Sequence, residues 1–307
     1  MKKYIILLFA LIITFGFVGC GKEVKNDNKD LTNTPNADKV KVSVTFNALK
    51  EFVEAVGKDR VEISTIIPNG TEPHDFEPKA RDLVKLSKAD VFVYNGLGME
   101  VWVEQAIKAA NNKNLVVVEA SKGSDMIENK EAEEIDEHGK YDPHLWIGLK
   151  GAMFEIKNIK DALVQVDPTN KDFYETNYKD YSQQLEQLYK EYSDKFKSIS
   201  KKSFVTGHAA FGYLCRDFGL EQNSVEDVFA EGEPSAQQLT ELVSYCKANN
   251  VTTIFAEEMA SSDVSQTLAN EVGAKVETIY TMESAEDNMS YLERISSNLS
   301  KIYESLK

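Results

Sequence analysis

Residues 169 to 200 contain neither Gly nor Pro, and apolar or aromatic side chains recur through them every three or four positions: Tyr174, Tyr178, Tyr181, Leu185, Leu188, Tyr192 and Phe196. This spacing predicts one continuous helix, opened by Asp167 as an N-cap with Pro168 at the first helical position. At 1.5 Å per residue, some 30 residues span about 45 Å, longer than either half of the remaining chain should be wide. The helix must therefore run alongside two bodies.

Both flanks alternate short apolar strands with helices. Before the long helix, Val40, Val42, Val44 and Phe46 read as a first strand, followed by a helix through Ala48 to Val56. Strands at Val61 to Ile67, Val91 to Tyr94 and Leu115 to Val118 follow, with helices at Lys79 to Ser87, Met99 to Ala110 and Lys150 to Val164. After it, strands are expected at Ser203 to Thr206, Val225 to Phe229, Thr252 to Ala256 and Lys275 to Tyr280. A capping box from Ser235 to Gln238 opens one helix, residues Ser262 to Val272 form another, and Leu292, Ile295, Leu299 and Ile302 share one face of a last one. The fold class is α/β, with two lobes that each hold a parallel-rich sheet flanked by helices. The expected boundaries are 40–166 for the first lobe, 167–200 for the linking helix and 201–307 for the second.

Lys2 and Lys3 precede an apolar run from Tyr4 to Val18 that is too short and wrongly flanked for a membrane span, so residues 1–19 read as a signal peptide. The junction Phe17-Val18-Gly19-Cys20 resembles a bacterial lipobox, which implies cleavage before Cys20 and a lipid on its sulfur. Residues 20–39 have too few apolar side chains to form a core and read as a flexible tether. A formal charge of −15 disfavours nucleic acid and suits a cation. Cys215 and Cys246 sit in apolar helical contexts, where they either pair or remain two buried thiols. Between Ser124 and Lys140 seven acids against two lysines read as a solvated, mobile loop. His138 lies inside it, either on a variable surface loop or as part of a weak cation-collecting antenna.

The other three histidines occupy compact, stiffened contexts. His74 lies in Glu-Pro-His-Asp-Phe-Glu-Pro at 72 to 78, and His144 in Asp-Pro-His-Leu-Trp at 142 to 146. His208 opens Gly-His-Ala-Ala-Phe-Gly at a strand-to-helix junction. In open α/β sheets ligands gather at the carboxyl ends of strands. These segments, with Ala-Asp-Val-Phe-Val-Tyr-Asn-Gly-Leu-Gly-Met-Glu at 89 to 100 and Glu-Pro-Ser at 233 to 235, run in order along nearly the whole mature chain. Together they resemble the zinc- and manganese-specific solute-binding lipoproteins of bacterial ABC transporters, known as cluster A-I or cluster 9.

The resemblance implies two lobes joined by a long rigid helix, with one metal ion in the cleft between them. Carried over by motif, His74 and His144 would be first-lobe ligands and His208 a second-lobe ligand. The fourth, a carboxylate after a late strand, falls on Glu283 in Tyr-Thr-Met-Glu-Ser, with Glu257 and Glu258 as substitutes. Three imidazoles and one carboxylate suit tetrahedral zinc, whereas manganese prefers more oxygen. The manganese branch resembles two His plus two carboxylates, with a carboxylate where this chain has His208. The implied role is a monomeric, lipid-anchored receptor on the extracytoplasmic face of the membrane that delivers Zn²⁺ to a permease, with Mn²⁺ as the alternative cargo. A zinc hydrolase is a different-class alternative, but no His-Glu-x-x-His pattern, nucleophile elbow or Gly-rich phosphate loop is present. Nothing in these residues bears on a surface-adhesin role.

Overall fold

A computed structural model describes residues 39–129, 135, 139–228, 235–257, 262–285 and 288–307. The signal peptide, Cys20, nearly all of the tether, His138 and Glu258 lie outside the described residues. The first lobe runs β1 (Val40–Val44), α1 (Asn47–Gly57), β2 (Val61–Thr65), α2 (Ala80–Leu86), β3 (Val91–Tyr94), α3 (Val103–Ala110) and β4 (Val116–Glu119). Its strands pair in parallel in the order β2-β1-β3-β4. Helix α4 (Leu149–Val166) and a 3-10 turn (Pro168–Asn170) then lead into α5 (Lys171–Lys197), a helix of 27 residues.

The second lobe repeats the pattern with β5 (Ser203–Thr206), α6 (Gly212–Phe218), β6 (Glu221–Ser224), α7 (Ala236–Ala248), β7 (Thr253–Glu257), α8 (Ser262–Val272), β8 (Lys275–Ile279) and α9 (Tyr291–Leu306). Its parallel order, β6-β5-β7-β8, is the same winding as the first sheet. Period-two alternation splits the strands between two apolar clusters: Phe204 and Phe255 join the large core, whereas Val205 and Ile254 join a smaller one with Leu242, Cys246 and Leu268. The large core is continuous through both lobes.

Two helices tie the lobes together. In α5, Asn177 donates to the carbonyl of Val56 at 2.9 Å in the first lobe, while Phe196 near the other end packs on Phe218 and Tyr303 of the second. The terminal helix α9 crosses as well, which its sequence pattern did not indicate. Tyr291 packs edge-on against Phe52, its backbone N–H donates to Glu51, and Arg294 pairs with the same carboxylate at 3.1 Å. Further along α9, Asn298 holds both the N–H and the carbonyl of Tyr280.

Three local expectations are corrected. The strand expected at Val225 to Phe229 instead occupies Glu221–Ser224. Its polar residues form an edge strand, and the N–H of Val225 turns back to the carbonyls of Thr206 and Gly207. Helix α3 begins at Val103 rather than Met99: Gly96, Leu97 and Gly98 lie at positive φ, and residues 97–102 form successive turns before the helix starts. The ends of the acidic segment are not loose: Asn129 N–H donates to the Lys140 carbonyl, and Ile127 N–H reaches the Tyr213 hydroxyl across the lobe junction. Cys215 and Cys246 are both buried, unpaired thiols. Among the described residues no helix is long and apolar enough to cross a membrane.

Candidate metal centre

Each predicted ligand sits on a segment whose backbone is fixed by its own sequence. His74 follows β2, in a turn where its N–H donates to Glu72 Oε1 at 3.2 Å and Phe76 N–H closes onto the Pro73 carbonyl. Two residues on, Phe76 braces the turn edge-on against Trp102 at 5.9 Å between centroids. His144 is fully buried. Asn95 Nδ2 donates to the Pro143 carbonyl, and one oxygen of Asp142 accepts both the His144 N–H and its ring Nδ1, each at 2.9 Å. That leaves Nε2 as the outward lone pair.

His208 caps the carboxyl end of β5. Its carbonyl accepts from Thr206 Oγ1 at 2.7 Å and its N–H donates to Glu257 Oε1 at 3.2 Å. Burial, and after it the neighbouring His144, hold its imidazole well below the ordinary histidine range. Glu283 follows β8 through Met282, a buried non-glycine residue at φ 62 that turns the chain sharply. Thr281 Oγ1 donates to Glu283 Oε2, and the Glu283 carbonyl accepts from Asn47 N–H of the first lobe at 3.1 Å. The same segment is pinned by Trp146 Nε1 to the Thr281 carbonyl and by Gly70 N–H to Ser284 Oγ. Glu283 belongs to the second lobe by sequence but is fastened to the first by hydrogen bonds.

These four side chains meet. One ligand atom from each of His74, His144, His208 and Glu283 falls within 4.8 Å of all the others. Nε2 of His144 is 3.2 Å from Nε2 of His74, 3.4 Å from Nε2 of His208 and 3.7 Å from Glu283 Oε1. A tetrahedral zinc with bonds of about 2.0–2.1 Å separates its ligand atoms by about 3.3 Å. The set therefore already has nearly the required spacing. Glu257 is not in the group; it lies behind His208. The sequence reading valued the Asp142-Pro143 pair for its stiff backbone and missed the carboxylate of Asp142, although an acid two residues before a ligand His is a recurring way to hold the ring.

Two parallel α/β lobes with imidazoles from both converging at their junction define a two-lobed protein built around a metal site. The chain belongs to the family described as zinc-uptake complex component A, periplasmic, which its residues 42–305 match. That family is one of solute-binding receptors and not of enzymes. A putative metal-binding protein of Treponema pallidum (strain Nichols) is 45% identical over 276 residues, covering 87% of each chain. The high-affinity zinc uptake system protein ZnuA of Bacillus subtilis (strain 168) is 38% identical over 313 residues, covering 97% of each. Among solved structures, a zinc-bound deletion mutant of ZnuA superposes with a TM-score of 0.78 at 30% identity, covering 88% of this chain and 99% of that one.

Proposed function

We propose that this chain is an extracytoplasmic receptor that binds one Zn²⁺ between its lobes and delivers it to the permease of an ABC transporter. His74, His144, His208 and Glu283 are the ligands on this reading. The observation that carries it is the convergence of three imidazole nitrogens and one carboxylate oxygen, from four separate segments, within 4.8 Å. Three nitrogens to one oxygen favour zinc over manganese, and the affinity order at nitrogen sites runs the same way. Family membership and the zinc-uptake name of the Bacillus subtilis relative support the transport role.

On the same reading residues 1–19 are removed, Cys20 carries the lipid anchor, 20–39 form the tether, and 40–166 and 201–307 are lobes joined by 167–200. The receptor works as a monomer. Each imidazole must be neutral to hold the ion, so binding releases protons and acid favours release.

Metal analysis and competition test the assignment. The purified mature chain should take up one Zn²⁺, and Mn²⁺ in large excess should fail to displace it. Preferential loading with Mn²⁺ would move the chain to the manganese branch, and the absence of tight binding to either would sink the reading.

A further inference from the structure

Glu257 is a buried carboxylate whose position the ligand set leaves unexplained. It ends β7, beside β5 in the second sheet, and the register pairs Thr206 with Phe255. Two residues beyond that pair on each strand stand His208 and Glu257. The carboxylate thus lies under the turn that presents the ligand. Its Oε1 accepts the His208 N–H at 3.2 Å and stands 3.8 Å from ring Nδ1, while the same ring points Nε2 at His144. Its other oxygen fills the place of a side chain at Gly207, where an added Cβ would collide with Glu257 Oε2. Position 207 is bare and the acid occupies the space.

We infer that Glu257 is the positioning residue of His208: it fixes the turn through the backbone N–H and biases the ring toward the Nδ1–H tautomer, leaving Nε2 free for the ion. This rests on the reading of His208 as a ligand. It gives the second-lobe imidazole a support related to the one Asp142 gives His144, with two differences. Asp142 hydrogen-bonds the His144 ring at 2.9 Å, whereas Glu257 hydrogen-bonds the backbone N–H of His208 and faces its ring at 3.8 Å, acting on it through charge. Asp142 also acts from two residues away in sequence, whereas Glu257 acts from a neighbouring strand. The grip of His208 on the ion therefore depends on the packing of β5 against β7. The other three ligands are anchored on the first-lobe side, so His208 is the arm most free to let go, and Glu257 sets where that arm rests.

The test compares Glu257→Gln, Gly207→Ala and His208→Ala with the wild-type mature chain. Zinc affinity is measured by chelator competition, fold by thermal melting of the metal-free chain, and the His208 tautomer by ring ¹⁵N NMR. Glu257→Gln should lower zinc affinity by about 10- to 100-fold, the usual loss when a ligand's supporting partner is removed. It should also melt within a few degrees of wild type and shift the ring away from Nδ1–H. Gly207→Ala, which keeps the acid but displaces it, should weaken binding in the same direction. Wild-type affinity in Glu257→Gln would overturn the inference, as would a loss of affinity with an unchanged tautomer or one explained by a lower melting point. Wild-type affinity in His208→Ala would instead overturn the ligand assignment itself.

Discussion

Trp146 Nε1 donates to the carbonyl of Thr281 at 2.7 Å, and this one bond stands two residues after His144 and two residues before Glu283. The indole is fully buried between Phe46 and the His144 ring. It fixes the spacing between His144 of the first lobe and Glu283 near the far end of the chain. Trp146→Phe keeps most of the packing and deletes the donor, leaving a buried carbonyl unpaired. It should cost about 1–3 kcal/mol of stability in chemical denaturation, and zinc affinity should fall with it.

On the proposed ligand set, truncating His208 should have a larger effect on binding than on fold. His208→Ala removes one of the four converging donor atoms from a turn whose backbone bonds to Thr206 and Glu257 remain. Zinc affinity measured by competition should fall by more than 100-fold on the scale where each 1.4 kcal/mol is tenfold. The circular dichroism of the metal-free chain should be unchanged.

Asp142→Asn tests the ring that lies deepest. Asparagine can still accept the His144 N–H, but it no longer carries the charge that orients Nδ1. Loss of about 10- to 100-fold in zinc affinity is expected, with little change in the melting of the metal-free chain.

Glu155 lies fully buried in α4, and neither of its carboxylate oxygens has a hydrogen-bond partner. Burial, and then the nearby Glu100, push its carboxyl well above the ordinary range. A carboxyl whose value is raised on folding is protonated in the native state where the unfolded chain has already lost its proton. Stability is therefore lost as pH rises above about 4.3. Glu155→Met should melt higher than wild type, by a margin that widens from pH 5 to pH 8. A margin independent of pH would show that the carboxyl is not protonated there.

The sign is opposite for His208. Its depressed value means that the unfolded chain takes up the proton first, so this residue costs stability as pH falls below about 6.5. In the metal-free state His208→Asn should gain melting temperature relative to wild type as pH falls from 7 to 5, which separates this contribution from the opposite one of Glu155. Zinc affinity should drop over the same interval as protons compete for the imidazoles.

Much of this was readable in the residues, for identifiable reasons. Valine runs such as Val91 to Tyr94 announce strands buried on both faces, and a stretch from 169 to 200 without Gly or Pro, with aromatic side chains at helical spacing, announces a long helix. The four candidate ligands follow from motif resemblance; each histidine taken singly is weak evidence, and it is the three together, in stiff loops or at a strand end, that point to a common site. What escaped depends on pairing in space. The strand Glu221–Ser224 carries no apolar alternation because it lies at a sheet edge. The apolar face of α9 was plain from Leu292, Ile295, Leu299 and Ile302, but periodicity says which side is buried and not against what. Glu257 is a candidate ligand by sequence because it follows a strand end; only the β5–β7 register places it behind His208.

The crossing of α9 bears on the order in which the molecule can be assembled. Glu51 and Phe52, near the start of the body, find their partners in Tyr291 and Arg294, some 240 residues later. A chain emerging from its N-terminus can form the β1-to-β4 sheet early, but the keystone of that lobe arrives with the last helix. Glu283, only eight residues before Tyr291, arrives with it. The four-residue cluster of His74, His144, His208 and Glu283 is therefore complete only once the last segment of the chain has packed against the first lobe.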